Sequence, residues 1–162
     1  MIGRYSYLAG GTQLPVGVDI GSFTSIGEHA YFHPPDNHAA TFNHALVSTF
    51  DFGDWGANFT PSGISKRKTV IGSDVWIGRD CHILSGSVVG PGAIVGANTV
   101  VSGDVPPYAV VVGNPWRTKR FRFDYDIIEK LMGIKWWDLE DRLIRERLKD
   151  FSDIGVFIEK YG

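Results

Sequence analysis

Thiols are almost absent from this chain. Cys81 is the only cysteine, so no disulfide can form within the chain, and a reducing compartment, the cytoplasm, is the expected location. Charge of either sign is not in excess. Sixteen Lys and Arg stand against 18 Asp and Glu, a formal net charge of −2, which offers no basic field to a nucleic acid. No apolar run approaches the ~20 residues that span a bilayer, and the first residues lack a signal-peptide pattern. Neither a nucleic acid nor a membrane is therefore expected as a partner. At 162 residues the chain is long enough for one domain with a sizeable core.

Glycine is plentiful, with 20 residues, and much of it is in register. Aliphatic residues recur at Ile71, Ile77, Ile83, Val89, Val95 and Val101, and glycine follows four of them, at Gly72, Gly78, Gly90 and Gly96. A helical period of 3.6 cannot hold every sixth residue on one face, and an alternating strand has no need to single it out. A period of six suits a coil of three short strands, each turning a corner after about six residues. The aliphatic residue points inward, and the small neighbour is expected to let the backbone turn tightly. The same period opens the chain at Ile2-Gly3 and Leu8-Ala9-Gly10. It blurs over Gln13-Leu14-Pro15-Val16, read as a short insertion, and resumes at Ile20, Ile26 and Phe32.

The next inward position is His38. An unpaired imidazole inside an aliphatic column is costly, and no period of six runs from Ala39 to Lys68. The coil is expected to break at His38, send out a long excursion and resume near Thr69. Loops of that length are functional or disordered. Phe42, Phe50, Phe52, Trp55 and Phe59 argue against disorder. Pro106-Pro107 close the coil, a strand and turn follow at 108–115, and then a basic cluster, Arg117, Lys119, Arg120 and Arg122. Helical spacing over Asp124–Met132 and Leu139–Lys149 predicts two helices, with Asp124 or Asp126 capping the first and Asp138 the second. Trp136-Trp137, too apolar for water, are expected to cover the end of the coil.

Among five histidines, His29 and His82 fall within regular hexapeptides, His33 opens a Pro-Pro turn, and His38 and His44 each follow an asparagine. A general base for acyl transfer must titrate near neutrality and be held within reach of a hydroxyl. His38, at the point where the coil breaks, meets the second requirement better than His44.

The hexapeptide run resembles the hexapeptide-repeat acyltransferases, whose fold is a left-handed parallel β-helix. The resemblance extends further. Residues 20–27 (IGSFTSIG), Asn37-His38, and Ser48-Thr49-Phe50-Asp51-Phe52 are similar to the xenobiotic acetyltransferase branch, which includes the hexapeptide chloramphenicol and streptogramin acetyltransferases. So are Asp74-Val75-Trp76-Ile77-Gly78, Gly113-Asn114-Pro115 and Ile134-Lys135-Trp136-Trp137. The implied architecture is a strand-dominated left-handed column over residues 1–112 with an excursion at 38–70. A turn and helical extension at 113–162 complete the same domain.

The resemblance implies an acetyl-CoA-dependent O-acetyltransferase acting on a hydroxyl of a sugar or an antibiotic. It implies a homotrimer without a metal cofactor. By resemblance the loop histidine is the base. Counting hexapeptides selects His38, with His44 the alternate, because nine residues separate His38 from Ser48 and three separate His44 from it. The pantetheine arm would lie near Gly86 and Ala97 against the Trp76 side, and the phosphates would meet Arg117, Lys119 and Arg120. Two other classes stay open. His33 and His38 have the spacing of a γ-type carbonic anhydrase zinc pair, and the altered loop spacing also suits a scaffold that has lost catalysis.

Overall fold

The computed structural model describes residues 1–34 and 67–162. Its described strands are mostly two or three residues long: β1 Tyr7–Leu8, β2 Val18–Ile20, β3 Ser25–Ile26, β4 Tyr31–Phe32, β5 Thr69–Ile71, β6 Trp76–Ile77, β7 His82–Ile83, β8 Val88–Val89, β9 Ile94–Val95, β10 Val100–Val101, β11 Asp104–Val105, β12 Ala109–Val112 and β13 Arg117–Phe121. They form three sheets. Face I runs β1-β3-β6-β9-β12-β13, face II runs β4-β7-β10, and face III runs β2-β5-β8-β11. From β2 to β12, successive strands visit faces III, I and II in rotation; β13 stays on face I, and neighbours within a face are parallel except β12 with β13. This is the three-sided coil that a period of six requires.

Partners on successive coils sit three hexapeptides apart, as in Leu8 opposite Ile26 and Ile77 opposite Val95. The expected insertion at 13–16 is not there. Gln13 bridges Tyr31, and Leu14 packs on the core. The inward series therefore runs unbroken through Ile2, Leu8, Leu14, Ile20, Ile26 and Phe32; Pro15 had disguised it by standing where glycine usually follows. Register is also kept across the excursion, with Ile20 opposite Ile71, Ile26 opposite Ile77 and Phe32 opposite Ile83. The return falls near Thr69, as expected: β5 begins there, so Thr69 and Val70 belong to the column rather than to the excursion.

Each hexapeptide has two inward positions. Ile26, Ile71, Ile77, Ile83, Val89, Val95 and Val101 are almost wholly buried. So are the smaller residues four places after an inward one: Thr24, Ala30, Val75, Cys81, Ser87, Ala93 and Thr99. The polar ones are satisfied within the wall, Thr24 Oγ1 donating to the Gly72 carbonyl at 2.8 Å. The Cys81 thiol donates to the Gly96 carbonyl at 3.1 Å, and burial raises its pKa, so it is a wall residue rather than a nucleophile.

The glycines after the inward residues do not make the turn. A Cβ on Gly21 would lie 2.5 Å from the Ser73 nitrogen, and one on Gly78 would lie 2.6 Å from the Ala97 nitrogen. They are small so that stacked corners can touch. The turn itself is made two residues later by left-handed backbone, often on residues with side chains. These are Tyr5, Phe23, Asp74 and Tyr108 on the edge between faces III and I, and His29, Asp80 and Asn98 on the edge between faces I and II.

The C-terminal extension comprises α1 Tyr125–Ile134, a 3-10 turn Trp136–Asp138, α2 Asp141–Arg147, a 3-10 turn Leu148–Ser152 and α3 Ile154–Tyr161. Helix α1 runs through Gly133 and stops where Lys135 turns left-handed; α2 begins after Glu140, so Asp138 does not cap it. The tryptophans do not close the end of the column. The extension lies along the III/I edge, using its left-handed side chains as a seat. Trp136 packs on Phe23 with ring centroids 4.8 Å apart, and Tyr108 clusters with Leu131, Trp137 and Phe157. Each such buried side chain contributes about 1.5–3 kcal/mol. Arg4 of the first coil binds Asp141 at 2.7 Å and the carbonyls of Trp137 and Leu139. No described helix is long and apolar enough to cross a membrane.

One titration within the extension should be visible. Asp150 accepts from Lys160 at 2.8 Å and Tyr161 at 2.9 Å. Its carboxyl is held below the ordinary carboxylate range, first by the Lys160 hydrogen bond and then by Tyr161. A depressed acid adds stability above its unfolded pKa and loses it as pH falls through the folded one. Asp150→Asn is therefore expected to melt below wild type at pH 7. The gap should close as the pH is taken below about 4, which thermal melts at stepped pH would check.

Candidate functional site

His38 and His44 lie outside the described residues, as does Asn37. The described residues on either side fix where the excursion springs from. The chain leaves face II after β4 through His33 and Pro34, and returns to face III through Arg67 and Lys68. The mouth of the excursion is thus the edge between faces II and III, at the step from the second coil to the third. The return limb is tied down by Lys68 to Asp19 at 3.0 Å and Arg67 to Asp104 at 2.6 Å.

Face II beside this mouth carries a cluster that sequence spacing could not show. Tyr31 stands opposite His82 in the β4–β7 pairing. His33, immediately after β4, brings its Nε2 to 3.1 Å from Nδ1 of His82. The Tyr31 ring meets His33 edge-on at 4.7 Å and His82 at 5.8 Å. These residues are 49 apart in sequence, and only the insertion-corrected register brings them together. Among the described residues no group of three or more His, Cys, Asp and Glu is placed to hold a metal ion.

The proposed cofactor residues fall into two sets. Trp76 is half exposed on face I, in one outward row with Tyr7, Ser25, Ile94, Val110 and Arg120. Three strand spacings separate Trp76 from Arg120, about 14 Å. Arg117, Lys119 and Arg120 all lie exposed on β13, which pairs antiparallel with β12. Three residues apart on a regular strand, Arg117 and Arg120 would face opposite ways. A bulge at Val110/Val111 sets Arg120 opposite Val110 and Arg117 opposite Val112, both outward positions, so the two guanidiniums share the Trp76 face. Ala97 is exposed on the adjoining I/II edge, above Gly78.

Gly86 is elsewhere. It is buried at the II/III edge, and its N–H donates to Thr69 Oγ1 at 2.9 Å. Face II lies between it and Ala97, and its amide is committed inward. Arg122 also leaves the basic cluster. It binds Asp74 at 2.9 Å and the Gly92 carbonyl at 2.8 Å, with its guanidinium 5.3 Å from the Tyr108 ring. Burial raises the Asp74 pKa while Arg122 opposes the shift, and burial also raises that of Tyr108. This is a half-buried joint between column and extension. A cavity of about 780 Å³ lies beside it against Pro106, Pro107, Phe121, Tyr125, Ile128 and Met132, away from the imidazoles.

Comparison with known proteins fits this geometry. Residues 68–103 match the bacterial transferase hexapeptide (six repeats) family. The chain is 38% identical over 161 residues to a chloramphenicol acetyltransferase of Agrobacterium fabrum, covering 85% of this chain and 74% of that one. The chain belongs to the hexapeptide-repeat acetyltransferases. A probable macrolide acetyltransferase of Lysinibacillus sphaericus is 36% identical, over 88% of this chain and 83% of its own, and with the first relative it places this acetyltransferase in the xenobiotic branch. A hexapeptide-repeat acetyltransferase of Vibrio cholerae, solved with acetyl coenzyme A, superposes with a TM-score of 0.54 at 27% identity. The match covers 76% of this acetyltransferase and 60% of that structure. The family match falls on β5 through β10; the first two coils, the basic strand and the helical extension of this acetyltransferase lie outside it.

Proposed function

We propose that this acetyltransferase moves an acetyl group from acetyl-CoA to a hydroxyl of a small molecule, with His38 as general base. The observation that carries this is the 38% identity to a chloramphenicol acetyltransferase over most of both chains. The column is inferred to wind left-handed and to assemble as a cytoplasmic homotrimer, as the family resemblance implies. Flat faces offer no deep pocket of their own, so a groove beside the excursion, completed by a second subunit, supplies the walls.

In the proposed step, the imidazole of His38 takes the acceptor hydroxyl proton as the oxygen attacks the thioester carbonyl. The tetrahedral intermediate then collapses, the carbon–sulfur bond breaks, and the imidazolium returns the proton to the departing thiolate. The pantetheine arm is assigned to the I/II edge at Ala97, on the Trp76 side. The inward commitment of the Gly86 amide argues against Gly86 as a donor to it. Arg117 and Arg120 supply the phosphate contacts, with Lys119 beside them.

Thiol release from acetyl-CoA, followed with chloramphenicol, a macrolide, a streptogramin and a disaccharide in turn, tests the activity. Acceptor-dependent release supports it; no release with any hydroxylated acceptor, from protein shown to be folded, rejects it. The cation assignment has its own test. Replacing Arg117 and Arg120 together by alanine is expected to raise KM for acetyl-CoA about three- to tenfold, because two exposed charge contacts are worth up to about 1 kcal/mol each. Turnover at saturation should stay close to wild type, and a fall in kcat at unchanged KM would contradict the assignment.

A further inference from the structure

We infer that His33 and His82 form a chelating pair for a borderline divalent cation such as Zn²⁺ or Ni²⁺, at the mouth of the excursion and apart from the acetyl-transfer step. The two nitrogens are 3.1 Å apart. Two metal–imidazole bonds of about 2.0–2.1 Å, meeting at an angle between right and tetrahedral, need their nitrogens about 2.9–3.4 Å apart. The pair thus already spans one edge of a coordination polyhedron. Its scaffold is rigid, because β4 and β7 are neighbouring parallel strands and the His33 N–H donates to the Ile83 carbonyl at 2.9 Å. Tyr31 flanks both rings and limits how far they can swing.

In the apo protein the facing nitrogens share a proton in a hydrogen bond. In the bound form each neutral ring carries its proton on the far nitrogen and turns the near lone pair to the cation. The His82 side of the pair is open to solvent, so water can complete the coordination. Imidazole donors favour zinc, nickel, cobalt and copper over magnesium and calcium, which take oxygen ligands. The third described imidazole cannot join. His29 sits on the I/II edge with Asp80 at 3.6 Å, across the face from His33.

The test uses the untagged full chain, freed of metal by chelator. Titration calorimetry with ZnCl₂ is expected to give one cation per chain, and the protein should be retained on a Ni²⁺-charged resin. MgCl₂ should give no heat. His82→Gln and His33→Gln should each weaken zinc binding by about tenfold or more, while His29→Gln binds as wild type. Both changed residues lie on the outer side of the column, and unaltered circular dichroism and melting would confirm that each variant folds. A His38→Gln/His44→Gln double variant that still binds one zinc supports the pair. Wild-type protein that binds no zinc overturns the inference, as does zinc binding that survives both His82→Gln and His33→Gln.

Discussion

His38→Ala is expected to slow acetyl transfer at neutral pH by about 10²- to 10⁴-fold, the usual contribution of one positioned acid–base group. The melting temperature should barely move. The reason lies in how the inserted residues join the column. Phe32 and Ile71 are both buried, and their strands keep register with β7 and β2 on either side of the insertion. The stacked core is therefore continuous beneath the excursion, and a change within the excursion does not open it. His44→Ala is expected to retain most activity. With wild type, kcat/KM should rise with pH through the range where an imidazole loses its proton, and that limb should vanish in His38→Ala. A large loss with His44→Ala and little with His38→Ala would transfer the role to His44.

Gly21→Ala is expected to destabilise the column strongly. The added carbon would stand 2.5 Å from the Ser73 nitrogen and 2.6 Å from the Gly72 carbonyl carbon. Both are backbone of the next coil, so no side chain can swing aside. Relief requires lifting the second coil off the third, where the Gly21 N–H donates to the Ile71 carbonyl at 2.8 Å. Overpacking of this kind costs about 3 kcal/mol, or a fall in melting temperature on the order of 10 °C for a chain of this size. Gly10→Ala is the matched control, since nothing lies within 4 Å of its Cβ position. Equal melting of the two variants would contradict the stacking account.

The column itself could be read from the sequence because one residue type recurs at a fixed interval and each occurrence faces the same interior. The helices were legible for the same reason: Ile127, Ile128 and Leu131 repeat at helical spacing. Leu14 is hard to recognise because Pro15 stands where glycine follows the inward residue in other hexapeptides. The corner chemistry was hidden more deeply. Tyr5, Phe23, Asp74 and Tyr108 share a backbone conformation, yet nothing in their side chains announces it. The same blindness explains Arg122, which sits in a run of basic residues and turns inward to Asp74. It also explains His33 and His82. Contacts between coils depend on register across an insertion, and local spacing carries no record of that.

Arg4 joins the beginning of the chain to its last quarter, through Asp141 and the carbonyls of Trp137 and Leu139. Linear arrays of repeats commonly fray from their ends, one unit at a time. Here the outermost repeat is fastened to a segment that also grips the opposite terminus at Tyr108. Peeling the first turn away means detaching the helices, and detaching the helices bares the fifth. The array should consequently lose its order all at once, with amides near residue 7 exchanging no faster than those near residue 110.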